Sequence, residues 1–202
     1  MRETSEIGIL ERPDNTLHPV DVRKEEHVVM KWVIFAIMST LIVLKFRKEL
    51  FSFRQHGAYM FMAAEGLLVL FIFNAGSMFE SAFSSRQVFS WALIALSASL
   101  ALSGFYGLKR YGRAVQDWED TTRLVQEGVF RYIRHPLYAS LMLLAVGMLL
   151  KDVSLRAAAA CLLTIGFLVA ASRAEEGENT AKFGKEYERY TCDTKRYLPF
   201  IV

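Results

Sequence analysis

Apolar and charged positions alternate along this chain in long blocks rather than residue by residue. Five apolar runs stand out, at 28–44, 57–79, 88–108, 138–150 and 153–172. About 20 apolar residues in helical form cross a hydrocarbon core of roughly 30 Å. The pattern therefore predicts an all-α integral membrane protein with about five transmembrane helices. The fourth run has only 13 clean residues, so its helix is expected to start inside the interface near Arg134 or to cross part of the bilayer. The turn at Lys151-Asp152 is short enough to force runs four and five into an antiparallel hairpin, 138–172.

Residues 1–27 read as a polar arm. Pro13 and Pro19 break any long helix there, and a short surface helix is expected near Val22–His27. Seven acids and no apolar core in that arm give no secretory signal, so the chain is expected to enter the membrane by its own helices. Residues 28–108 form three transmembrane helices, and 109–202 hold the hairpin and the tail. The loop at 45–56 carries four Lys or Arg, the 109–134 segment six and the tail after residue 172 six. Basic loops stay in the cytoplasm, which puts those three segments on the cytoplasmic face and makes the protein multi-pass.

Composition narrows the chemistry. Hydrophobic residues make up 53% and charged residues 22% of the chain, with a net charge of +3. That charge is too small to argue for nucleic acid. Cys161 and Cys192 are far apart, and His18, His27, His56 and His135 are scattered, so neither a disulfide framework nor a metal site is implied. No glycine-rich phosphate loop occurs. Small residues between Ala95 and Gly107, including Ser97, Gly104 and Gly107, suit close helix packing. Glu65 lies about 12 Å into the second run at 1.5 Å per residue, where an ionisable group faces a bundle interior or a wet cavity. A place near the entrance of a binding site, a pairing with Arg54 or Lys109, and a protonated carboxyl all remain open for it.

The mouth of the fourth run carries Gly128-Val129-Phe130-Arg131-Tyr132-Ile133-Arg134-His135-Pro136-Leu137-Tyr138. Pro136 suits a first helical turn, whose N–H groups have no intrahelical partner. The free donors there suit a carboxylate or other anion. After the hairpin come Arg173-Ala174-Glu175-Glu176, then Phe183-Gly184-Lys185-Glu186-Tyr187-Glu188-Arg189-Tyr190, then Arg196-Tyr197-Leu198-Pro199. Adjacent helical acids point about 100° apart, so Glu175 and Glu176 cannot share a proton, and Glu176 is expected to turn away from the pocket.

These elements in order, Arg-His-Pro-x-Tyr, hairpin, Glu-Glu, Phe-Gly-x-Glu-Tyr-x-x-Tyr and Leu-Pro, resemble the isoprenylcysteine carboxyl methyltransferase family. The related membrane phospholipid methyltransferases carry a similar pattern. The resemblance covers residues 116–200. It implies a membrane-embedded methyltransferase using S-adenosylmethionine from the cytoplasmic side on a lipophilic or prenylated acceptor from the lipid bilayer, with 109–202 as the cofactor-binding region. It carries cofactor contacts onto Gln116, Thr122, Arg123, Leu124, Val125, Phe130, His135, Pro136, Leu137, Tyr138 and Glu175.

Family members acting on an isoprenylated carboxylate often place an arginine one turn before the first glutamate. Here that position is Ala171, and Arg173 is the nearest arginine. Arg173 and Glu175 are therefore the expected catalytic residues, with an isoprenylcysteine-like carboxylate as first acceptor. A phospholipid amine is the main alternative. A sterol reductase-like NADPH-binding protein and a non-enzymatic membrane subunit are the readings from other classes.

Overall fold

The computed structural model describes residues 22–51, 55–76, 83–112 and 123–197. Six helices are seen among them: α1 (Val22–Phe51), α2 (Gln55–Asn74), α3 (Ser85–Tyr111), α4 (Pro136–Leu149), α5 (Leu155–Phe183) and α6 (Lys185–Asp193), with a short 3-10 turn at Gly128–Arg131. No strand ladder occurs among the described residues. The short helix expected near Val22 is the start of α1, which runs on unbroken.

α1, α2, α3 and α5 are long and apolar enough to cross a membrane, and α4 is a shorter apolar helix. The protein is an all-α integral membrane protein. The fourth expected span is the short one, and it starts at Pro136, next to the interface residue Arg134. α2 ends at Asn74, earlier than the apolar run, and the last part of that run, 77–79, lies outside the described residues.

Two helix pairs make the core, α2 on α5 and α3 on α4, and glycine sets the closest approach in both. A methyl group built on Gly66 of α2 would lie 2.3 Å from Thr164 Oγ1 of α5. One on Gly147 of α4 would lie 2.9 Å from Ile94 and 3.3 Å from the Ser90 carbonyl oxygen of α3. Serines then use the short separation. Ser90 donates to the Gly147 carbonyl at 2.7 Å, and Ser97 to the Ser140 carbonyl at 2.7 Å. Small residues and interhelical hydrogen bonds take this role in a bilayer because lipid is as apolar as leucine.

The core has one apolar cluster around Leu70, Ala145, Met148, Ala157 and Cys161, and another around Ala63, Tyr138, Leu168 and Ala171. α1 packs on α2 but leaves Val33, Ile37, Leu41 and Leu44 exposed, which in a bilayer is a lipid-facing surface. Glu65 turns to α1, where it accepts a hydrogen bond from Ser39 at 2.9 Å.

At the far end of the hairpin Lys151 is fully buried. Its ammonium donates to Gln87 Oε1 at 3.1 Å and sits 3.4 Å from the centroid of the Trp91 ring. Gln87 donates back to the Lys151 carbonyl at 3.1 Å. The lysine also stands just past the carbonyl end of α4, where a cation suits the helix dipole.

Replacing Gly66 or Gly147 by leucine should force its helix pair apart and cost about 1–3 kcal/mol, as overpacking does. A methyl on Gly166 meets nothing within 4 Å, so Gly166→Ala should melt like the parent. Thermal unfolding in detergent checks both. A Gly66→Leu protein as stable as the parent would show that α2 and α5 do not meet as described.

Candidate active site

The site is built where α4 begins and α5 leaves its apolar stretch. The turn at Gly128–Arg131 feeds the chain into α4, and Gly128 has φ +64°, a conformation that costs glycine least. His135 is the cap residue of α4, with Pro136 in the first turn and no side chain capping the helix. Downstream, Gly184 has φ 56° and ψ −131°, which divides α5 from α6. That region is essentially closed to residues with a Cβ, which explains the glycine of the Phe-Gly element. The turn folds α6 back so that the segment after it returns to α4.

That return makes a backbone clip. Ile133 and Lys195 form a parallel bridge. The Lys195 N–H donates to the Tyr132 carbonyl at 3.2 Å, the Arg134 N–H to the Lys195 carbonyl at 2.7 Å and the His135 N–H to the Arg196 carbonyl at 3.0 Å. The Tyr190 hydroxyl adds a bond to the Phe130 carbonyl at 2.6 Å.

Charge closes the clip. The Glu176 carboxylate accepts from Arg134 Nε at 3.1 Å and from Arg196 at 2.6–3.0 Å, and lies 3.3 Å from His135 Nε2. Arg134 also donates to the Thr191 carbonyl at 3.1 Å and to the Thr194 carbonyl. The hydrogen bonds to Glu176 raise the Arg196 pKa above its usual value, with burial working the other way. Glu176 thus does not turn away from the site. It turns toward the clip, because that is where the arginines are.

Glu175 has a different environment. Its carboxylate lies 3.8 Å from His135 Nδ1 and its side chain is 34% exposed against 14% for Glu176. The two acids do not share a proton; they take opposite nitrogens of one imidazole. The Tyr138 ring stands edge-on to that imidazole at 5.3 Å between centroids. Tyr197 lies 6.2 Å from it, and its hydroxyl bonds Ser172. Tyr187 is buried under Glu175 and Glu176. Burial first, and then those charges, push its hydroxyl up to about 12. That hydroxyl has no hydrogen bond of good geometry among the described residues.

Of the residues expected at the site, His135, Tyr138 and Glu175 lie against one another. Pro136 and Leu137 fill the space over Gly104. Leu124 packs with Phe183, Tyr187 and Tyr190 beneath α6, Val125 is buried, and the Phe130 ring covers Gly107. Arg123 is exposed and paired with Glu127 at 2.8 Å. Gln116 and Thr122 lie outside the described residues. Arg173 is exposed, whereas Ala171 is fully buried against Tyr138 and Leu168. His56 is the residue that sequence reasoning passed over. Its Nδ1 lies 3.2 Å from the Tyr138 hydroxyl and 3.3 Å from the Ala171 carbonyl oxygen. A lone histidine before an apolar run carries no signal of such a contact.

A partly exposed acid beside a histidine and an uncapped helix start thus gather polar groups at one end of the helix bundle. The sequence profile of the phospholipid methyltransferase family matches residues 85–186, half of the chain. The chain belongs to that family, part of the isoprenylcysteine carboxyl methyltransferase-like group of membrane methyltransferases. A comparison with curated proteins finds no match.

Removing the Glu176 carboxylate should loosen the clip. Glu176→Ala is expected to cost about 1.5–3 kcal/mol, the range for hydrogen bonds to a charged group, and to speed proteolysis at 194–197. Glu175→Ala should melt close to the parent. Equal losses of stability in the two variants would refute this division of labour.

Proposed function

We propose that the chain is an S-adenosylmethionine-dependent methyltransferase that methylates the amine headgroup of a membrane phospholipid from the cytoplasmic side. The observation that carries the acceptor class is the charge balance of the site. Two carboxylates stand there, and the arginines that enter, Arg134 and Arg196, are already engaged with Glu176. Arg173 is exposed and Ala171 offers no cation. An isoprenylcysteine-like carboxylate therefore lacks a ready anchor among the described residues, whereas an amine acceptor needs no such cation. The family match favours the same acceptor.

The pocket's chemistry fits S-adenosylmethionine. The cofactor supplies an electrophilic methyl group on a sulfonium. Glu175 would hold its ammonium, and the start of α4 would hold its carboxylate through unpaired N–H groups. The Tyr187 hydroxyl is a further donor for its polar parts. His135 positions Glu175 through Nδ1 while Nε2 is held by Glu176. Leu124, Val125 and Phe130 supply apolar surface of the kind an adenine needs. The basic segments at 45–56 and 109–134 and the tail orient this end toward the cytoplasm, where the cofactor is made available and anionic headgroups lie close.

S-adenosylhomocysteine should bind the purified protein and NADPH should not. His135→Ala and Glu175→Ala should each weaken that binding about tenfold to a hundredfold, the loss of one charge-assisted hydrogen bond. Phosphatidylethanolamine vesicles with labelled cofactor should yield labelled lipid, and Arg173→Ala should leave that rate essentially unchanged. Methyl transfer to a farnesylcysteine analogue but not to the amine lipid, abolished by Arg173→Ala, would overturn the reading in favour of the carboxylate.

A further inference from the structure

We infer that His56 is the proton acceptor for the amine during methyl transfer, an inference that rests on the N-methyltransferase reading above. His56 reaches the site from α2, outside the residues matched to the family. Its tautomer follows from its partners. A peptide carbonyl only accepts, so the contact from Nδ1 to the Ala171 oxygen places the hydrogen on Nδ1, shared with the Tyr138 oxygen. A neutral imidazole with Nδ1–H has its lone pair on Nε2. Among the described residues Nε2 takes no hydrogen bond, and the ring is half-buried, so a ligand can reach it.

His135 cannot serve in the same way. Both of its nitrogens face carboxylates, Glu175 at 3.8 Å and Glu176 at 3.3 Å. Neither nitrogen is therefore turned toward a substrate. The two histidines flank Tyr138, with ring centroids 5.3 Å and 6.3 Å from it. One therefore braces the acids, and the other presents a base.

The reaction requires such a base. A phospholipid amine arrives as an ammonium, without a lone pair. Nε2 of His56 takes one proton, the freed nitrogen pair forms the N–C bond to the methyl carbon, and the C–S bond breaks with its pair left on sulfur. An ammonium and a sulfonium enter; a methylammonium, a neutral thioether and an imidazolium leave. The imidazolium then returns its proton to water at its exposed edge. The ring meets Tyr138 of α4 and the Ala171 carbonyl of α5, and Tyr59 and Tyr197 pack on the cluster that those two residues belong to. Lys45 and Arg47 at the end of α1 lie at the same end of the bundle and are exposed.

The test uses the full chain in vesicles of phosphatidylcholine and phosphatidylethanolamine. His56→Asn keeps an N–H for the Ala171 carbonyl and removes the base; His56→Ala is the second variant. Both should bind S-adenosylhomocysteine like the parent by calorimetry, while kcat falls about 10²–10⁴-fold. In both variants the rate should rise with pH only as the amine itself loses its proton, and added imidazole should partly rescue His56→Ala. Nitrogen-15 histidine spectra should show one Nδ1–H tautomer, lost in His56→Asn. A phosphatidylethanolamine-active parent whose His56→Asn variant keeps its rate and pH profile would overturn the role of His56 alone, as would an Nε2–H tautomer. A parent that binds S-adenosylhomocysteine but methylates no amine would bring down the acceptor reading and this inference together.

Discussion

One carboxylate, Glu176, holds the cytoplasmic end of this fold together. It sits on the last turns of α5 and draws Arg134 and His135 from the start of α4 and Arg196 from beyond α6. Without it, two guanidinium groups would be crowded at a partly buried helix mouth. With it, both ends of the hairpin and the returning chain share one charge. The rest follows from that closure: the backbone clip aligns His135, the imidazole faces Glu175 with its other nitrogen, and Tyr138 packs edge-on against the same ring.

Length and hydropathy made the helices legible. The runs at 28–44 and 88–108 lie within α1 and α3, and α5 takes up the run at 153–172 from Leu155 on, because lipid-facing helices must be apolar almost all round. Pro136 marked the start of α4 because proline fits only a few backbone positions. Contacts between distant segments were less legible. Glu176 was expected to turn from the pocket on helix geometry alone, and helix geometry does place it apart from Glu175. What the sequence could not show is that α6 folds back at Gly184 and delivers Arg196 to that other face. His56 was hidden for a similar reason. Its partners are a carbonyl and a hydroxyl contributed by two other helices, and neither leaves a spacing rule in the chain.

The family-matched half and the remainder divide the work unevenly. The matched residues hold both acids and the α4 side of the clip, whereas α1, α2 and the clip's other side at Lys195 and Arg196 lie outside the match. Yet α2 packs along α5 through Gly66 and closes over Ala171 with Ala63, Leu168 and Tyr138. The part of the chain without a recognisable motif thus walls one side of Tyr138 and Ala171.

The brevity of α4 bears on the bilayer itself. Its 14 residues give a rod of about 21 Å, against a hydrocarbon layer of roughly 30 Å. His135 at one end and Lys151 just beyond the other are both buried polar groups, so neither can be drawn into hydrocarbon without cost. The surrounding lipid must thin or the helix mouth must sit in a depression below the headgroups, each at a fraction of a kcal/mol per ångström. Acyl-chain length would then act on this protein as a physical variable, with thin membranes fitting it best and thick ones straining the same end that holds Glu175.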